Sequence, residues 1–140
     1  MELAPAGGRP ALLLFYRADC GASEVAGPVL PRFAAIRGLA LAAVSQDRPE
    51  ETGAFAAASG FGAAVRSLVD PEPWPASVAF GIRATPTWVL VDEQGRVAAV
   101  AEGWSRDDAN AIAGEAARLC GSPALVVAPP DGPEPPLRPG

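Results

Sequence analysis

The sequence predicts an α/β fold built on one central mixed β-sheet, and three observations predict it. Two short, nearly continuous apolar runs, residues 11–16 and 39–44, each lead into a stretch with helical spacing, so the first half reads βαβα. Residues 87–100 read as a tight antiparallel hairpin, and an amphipathic helix follows it, so the second half reads ββα. Parallel strands joined by right-handed helical crossovers, completed by an antiparallel pair, make a sheet with helices on its faces.

Ala-Leu-Leu-Leu-Phe-Tyr (11–16) has no polar alternation, the mark of a strand buried on both faces and therefore central. Small polar residues at 19–23 interrupt it. From Glu24 the apolar positions Val25, Val29, Leu30, Phe33 and Ile36 follow a helical repeat, which Gly38 ends. Leu-Ala-Leu-Ala-Ala-Val (39–44) repeats the buried-strand signal. Pro49, Glu50 and Glu51 then open a second helix that runs to Gly60, the proline and acids suiting a first turn. Residues 65–69 read as a short edge strand, and Asp-Pro-Glu-Pro-Trp-Pro (70–75) as a stiff loop before a short helix at 77–80. The hairpin joins residues 87–92 to residues 96–100 through Glu93, Gln94 and Gly95. Ser105 caps the last helix, with Asp107 and Asp108 in its first turn and Ala109, Ile112, Ala116 and Leu119 on its apolar face. One domain is expected over residues 8–121. Residues 122–140, rich in proline and glycine with little to bury after Val127, are expected to be extended or disordered.

Composition narrows the chemistry. Every one of the 11 basic residues is arginine, and the chain has neither lysine nor histidine. Imidazole bases, lysine Schiff bases and histidine metal ligands are thereby excluded, which leaves thiol, carboxylate, hydroxyl and backbone groups. A net charge of −5 argues against nucleic acid as a partner. Residues 1–9 lack a basic region followed by a long apolar stretch, and the run at 11–15 is too short to span a bilayer, so no membrane association and a cytoplasmic location are expected. Two distant cysteines make neither a disulfide framework nor a zinc site. No metal or other cofactor is expected.

Cys-Gly-Ala-Ser (20–23) lies where the first strand gives way to the first helix. Unpaired N–H groups and the helix dipole favour an anion there, so a thiol at that place is disposed toward the reactive thiolate. An isolated cysteine in an apolar-rich chain is ordinarily a small buried hydrophobe. Cys20 differs in following the polar Asp19 at a strand end. Ser23, one turn along, can point its hydroxyl back at the sulfur, but it offers no second sulfur to resolve a mixed disulfide. Far along the chain, Ala-Thr-Pro-Thr (84–87) places Pro86 directly before an apolar strand, and a cis peptide would solve that geometry.

With these residues in hand the chain resembles the thioredoxin superfamily. A strand, a C-x-x-C-like turn, a helix with Pro28 eight residues after Cys20, and the stretch Thr-Pro-Thr followed by Asp92 and Gly95 match the family's pattern. The extra segment between Cys20 and Pro86 is closest to the TlpA-like and peroxiredoxin-like branches, here with a C-x-x-S variant. The resemblance spans residues 8–120. It implies a thioredoxin-like fold, with Cys20 as attacking thiol, Ser23 in the resolving position, and Thr85 and Pro86 as the loop that binds an extended substrate backbone. The implied function is monothiol thiol–disulfide exchange with a protein disulfide or a low-molecular-weight thiol such as glutathione. Serine at position 23 removes the usual internal disulfide.

Two other functions suit the same residues. A thioredoxin-like module could retain the groove for a partner without turnover. A thiol peroxidase is the lesser alternative, since that chemistry ordinarily has threonine or serine three residues before the cysteine and this chain has Arg17. Arg17 could instead bind a carboxylate. Trp74, in the proline-rich loop, is the one tryptophan expected to line a groove near the site, whereas Trp88 and Trp104 are expected to pack in the core. Cys120 ends the last helix, which runs about 20 Å away from the active-site side, so it is not expected to reach Cys20. The acidic pairs Glu50/Glu51 and Asp107/Asp108 complement helix dipoles and need no catalytic role. Gly7-Gly8 and Gly60-Phe-Gly62 read as turns.

Overall fold

A computed structural model describes residues 8–140; the expected turn at Gly7 and the leading residues judged for a signal lie outside them. Five strands form one sheet in the order β3-β2-β1-β4-β5. β1 (Ala11–Tyr16) is buried along its whole length at the centre, as its unbroken apolar run dictates. β2 (Ala40–Ser45) and β3 (Arg66–Val69) lie parallel to it on one side, with Leu12 opposite Leu41 and Val44 opposite Leu68. On the other side β4 (Thr87–Val91) runs antiparallel to β1, and β5 (Val97–Glu102) antiparallel to β4. This is the thioredoxin fold in its βαβα–ββα order.

Alternation along the strands divides the core between the two faces. Leu12, Leu14, Tyr16, Leu41, Trp88 and Leu90 pack toward α1 (Gly21–Val29), α2 (Pro49–Ala58) and α4 (Arg106–Leu119), while Leu13, Phe15, Val44, Val89 and Val91 pack toward α3 (Pro75–Ala79). Trp88 and Trp104 are fully buried, and Trp88 lies 5.5 Å from the ring of Phe33. α1 and α2 approach closely at Gly27, where an added Cβ would stand 2.7 and 2.8 Å from ring atoms of Phe55.

The first helix is shorter than its periodicity predicts. α1 begins at Gly21, with Cys20 as its N-cap, and ends at Val29; a 3₁₀ turn over Leu30–Ala35 carries Phe33 into the core. Pro31 has no N–H to extend an α-helical ladder, so the chain continues in the tighter form. α3 likewise starts at Pro75 because Asp70, fully buried, accepts from the Ala76 and Ser77 amides at 3.0 and 2.7 Å and from the Ser77 hydroxyl at 2.7 Å. At α4, the Ser105 hydroxyl accepts from the Asp108 amide at 3.2 Å, the capping its sequence predicts.

The segment 122–140 holds no helix and only a two-residue strand, but its turns and bends are docked on the domain, which its composition did not predict. Val127 and Ala128 are buried, and Asn110 holds both of their amides through its Oδ1 at 3.0 Å. Glu134 is buried against Arg32, with bonds of 2.7 and 3.0 Å, and Leu137–Arg138 forms β7 antiparallel to β6 (Trp104–Ser105). Proline-rich composition obscured this, because extended backbone held by side chains and carbonyls has no hydrophobic period.

Candidate active site

The topology brings the site together at one sheet edge. β1 and β2 run parallel, so both release their C-terminal ends there, and β4 runs antiparallel, so it begins there with Thr87 opposite Phe15. The loop after β1 carries Cys20; the loop before β4 carries Thr85 and Pro86. Their meeting is a consequence of strand direction, the reason sites in such sheets gather beyond the strands' carboxyl ends.

At the β1–α1 junction the backbone is tied on three sides. The Cys20 amide donates to the Arg17 carbonyl at 3.2 Å, the Glu24 amide to the Cys20 carbonyl at 3.0 Å, and the Ala18 amide to Asp47 Oδ2 at 2.6 Å. Cys20 is half-buried, and its Sγ donates to the Thr85 carbonyl oxygen at 3.3 Å. The Thr85–Pro86 peptide is cis, and Pro86 is buried. Thr87 Oγ1 donates to the Ala84 carbonyl at 2.7 Å, and the Gly103 amide to the Pro86 carbonyl at 2.8 Å, so the proline loop is held from both flanks.

Ser23 does not do what its spacing suggests. Its side chain is fully buried on the core side of α1, beside Ala22 and Ala26, and its Oγ has no hydrogen-bond partner among the described residues. The sulfur's hydrogen bond goes to the Thr85 carbonyl instead. One turn of helix puts residue 23 on the same stripe as Gly27, the stripe of α1 that faces Phe55 and Ser59.

Arg17 is exposed, pairs with Asp19 at 3.5 Å, and lines a 160 Å³ cleft with Gln46, Arg83 and Thr85, so it does border the Cys20–Thr85 site. Trp74 does not. It adopts a left-handed backbone (φ 57°), donates from Nε1 to the Gln46 carbonyl at 3.3 Å, and lines a neighbouring groove with Asp47, Arg48 and Pro71 that includes neither Cys20 nor Thr85. The hydrogen bond to Gln46 pins the indole over the end of β2 instead of over the thiol.

Asp47 was not legible as a site residue. Besides Ala18, it is held by Ser45, whose hydroxyl accepts from the Asp47 amide at 3.0 Å and from Thr52 Oγ1 at 2.7 Å. The signal that could have found it is a carboxylate just past a buried parallel strand, at the edge where the thiol loop also emerges. Tyr16, at the end of β1, stacks on Phe55 with 4.2 Å between ring centres, and burial pushes its phenol up, keeping it neutral. Cys120 lies at the opposite end of the sheet near Gly38, separated from Cys20 by the six residues of β1, about 20 Å of strand. Among the described residues no group of three or more acidic, cysteine or histidine side chains converges as a metal site would, and no helix is long and apolar enough to cross a membrane.

Residues 3–109 match the family model of the F plasmid transfer operon protein TraF. The chain belongs to the TraF family. The match takes in β1, the Cys20 loop, the Thr85–Pro86 loop and the hairpin, and with the sheet order it places this TraF-family chain in the thioredoxin superfamily. Solved structures agree on the fold. The chain is similar to a secreted Mycobacterium tuberculosis disulfide oxidoreductase homologous to E. coli DsbE, at 17% identity, a TM-score of 0.67, and coverage of 80% of this chain and 83% of that one. It is also similar to DsbF of Mycobacterium tuberculosis (24% identity, TM-score 0.64, 81% and 80% coverage) and to StoA from Bacillus subtilis (17%, 0.63, 77% and 82%). No curated protein matches the chain.

Proposed function

We propose that this TraF-family chain is a thiol–disulfide oxidoreductase of monothiol type, acting through a mixed disulfide at Cys20. The observation that carries the reading is the position of Cys20 Sγ, at the N-cap of α1 and 3.3 Å from the carbonyl that precedes the buried Pro86. The names of the similar structures, disulfide oxidoreductase and DsbF among them, support the same kind of chemistry.

The exchange is written as two displacements. Cys20 thiolate attacks one sulfur of a substrate disulfide R–S–S–R′; the new S–S bond joins Cys20 to R, and R′ leaves as a thiolate that takes up a proton. An external thiol R″–SH, deprotonated, then attacks the sulfur of R, forms R–S–S–R″ and returns Cys20 as thiolate. No internal thiol can take that second step, because position 23 is serine and Cys120 lies across the sheet. Arg17 and Arg83 line the cleft beside Thr85 while paired with Asp19 and Glu102, and a substrate or co-thiol that carries a carboxylate, as glutathione does, would exchange for those partners. In the cytoplasmic setting that we propose for the chain, reduced low-molecular-weight thiols would supply R″–SH.

The test is turnover of a peptide disulfide in the presence of excess glutathione, comparing the wild-type chain with Cys20→Ser and Cys120→Ser. The expected result is loss of catalysis in the first variant and retention in the second. Equal rates for wild type and Cys20→Ser, both at the uncatalysed level, would favour a binding module that keeps the groove without turnover.

A further inference from the structure

Residues 137–140 cross the face on which Cys20 opens. β7 pairs antiparallel with β6, Arg138 opposite Trp104 and Leu137 opposite Ser105, and the Arg106 amide donates to the Pro136 carbonyl at 3.0 Å. The backbone then runs onto Thr85: a Cβ added at Gly140 would overlap the same carbonyl oxygen that receives the Cys20 thiol. On the other flank, a Cβ added at Gly103 would stand 3.3 Å from the Gly140 nitrogen and 3.5 Å from the Arg138 carbonyl oxygen. At Gly21, directly after Cys20, an added Cβ would stand 2.8 Å from Arg138 Cζ, so the guanidinium rests on the first turn of α1. Gly21 follows Cys20, Thr85 receives its thiol and Gly103 holds the Pro86 carbonyl, and this one segment touches all three.

Its attachment is graded. Upstream, Glu134 is buried against Arg32, and Trp104 Nε1 donates to the Pro135 carbonyl at 2.6 Å. Downstream, residues 137–140 are exposed, Leu137 by 65%, so no apolar side chain anchors them. Pro135, Pro136 and Pro139 have no N–H, and the ladder to β6 is two residues long. The hinge is firm and the end beyond it is weakly held, the distribution expected of an element that opens locally.

We infer that residues 137–140 are an autoinhibitory strap that fills the peptide groove of Cys20, and that an extended segment of a disulfide-bearing protein displaces it by pairing with the same edge of β6. The inference rests on the exchange function proposed above for the identity of the displacing partner. The edge of β6 offers a strand-addition site, and β7 occupies it as such a peptide would. A strap closed for most of the time lowers the apparent reactivity of the site by the fraction of molecules that are open.

The experiment compares, in a Cys120→Ser background, the full chain, a chain ending at Pro136, and full-length Arg138→Gly. Two rates are read for each: alkylation of Cys20 by N-ethylmaleimide, and mixed-disulfide formation with a peptide disulfide. Shortening is expected to raise both about tenfold, the effect of freeing a site open one-tenth of the time. Arg138→Gly is expected to move them in the same direction by less, and a peptide of residues 133–140 added to the shortened chain to slow it again. Equal alkylation in all three proteins would overturn the strap. Faster alkylation without any mixed disulfide would uphold the strap and overturn the exchange function.

Discussion

The thiol of Cys20 donates to the main-chain carbonyl of Thr85 at 3.3 Å, across 65 positions of sequence. Neither loop could hold that geometry alone. It exists because β1 and β4 are antiparallel neighbours in the sheet, with Phe15 opposite Thr87.

Asp47 fixes the thiol's side of this pair by accepting the Ala18 amide at 2.6 Å. Asp47→Ala leaves that donor without its partner and is expected to cost about 1–3 kcal/mol, more than Asp47→Asn, whose amide oxygen still accepts. Denaturant unfolding of the two variants checks the order. The same loosening is expected to slow mixed-disulfide formation in Asp47→Ala more than in Asp47→Asn.

Gly27→Ala is expected to destabilise the chain by about 1–3 kcal/mol, although alanine is the better helix former by about 1 kcal/mol. The reason is Ser59 Oγ at 2.5 Å and the Phe55 ring at 2.7 Å from the added methyl, where α1 packs on α2 and its C-cap. Thermal unfolding gives the sign; a stabilised variant would mean that the two helices part at little cost.

How much of this was legible depends on the kind of signal. β1 was, since an unbroken apolar run has one easy place in a sheet, its centre, and the hairpin was, since Gly95 marks its turn. Cys20 and Pro86 were legible as a pair because each was out of place for a purely structural reading. The end of α1 was not, because Val29, Leu30 and Phe33 keep a helical rhythm through a turn that Pro31 makes 3₁₀. The hydrogen-bond partner of the sulfur was not legible, because spacing along a helix gives the face of Ser23 and not the Thr85 carbonyl that takes the bond instead. The docking of residues 122–140 was hidden because Arg32, Trp104 and Asn110, the groups that hold it, come from three separate elements.

Acid should release the docked segment. Hydrogen bonds from Arg32, helped by its charge, hold the Glu134 carboxyl below the usual carboxylate range in the fold. A carboxyl depressed on folding contributes stability that is complete above its unfolded value of about 4.3 and lost as pH falls through the folded value. The melting temperature of the wild type is therefore expected to fall on acidification below about pH 4.3 more steeply than that of Glu134→Gln. Parallel curves would show that the pair contributes nothing to stability.

Cys120 should behave as an inert thiol. Burial pushes its pKa up, only partly offset by Arg9. In Cys20→Ser, alkylation of Cys120 is expected to have a midpoint above the free-thiol value of about 8.5. The raised value also means that its contribution to stability is complete below the unfolded value and is lost as pH rises through the folded one. A midpoint at or below that of a free cysteine would contradict the buried setting.

Covalent exchange at Cys20 can be read by intact-protein mass spectrometry of the Cys120→Ser chain after incubation with a peptide disulfide. A single adduct of one peptide thiol is expected, mapped to Cys20 and removed by added glutathione. No adduct on the native chain, with Cys20 becoming reactive only after unfolding, would contradict it.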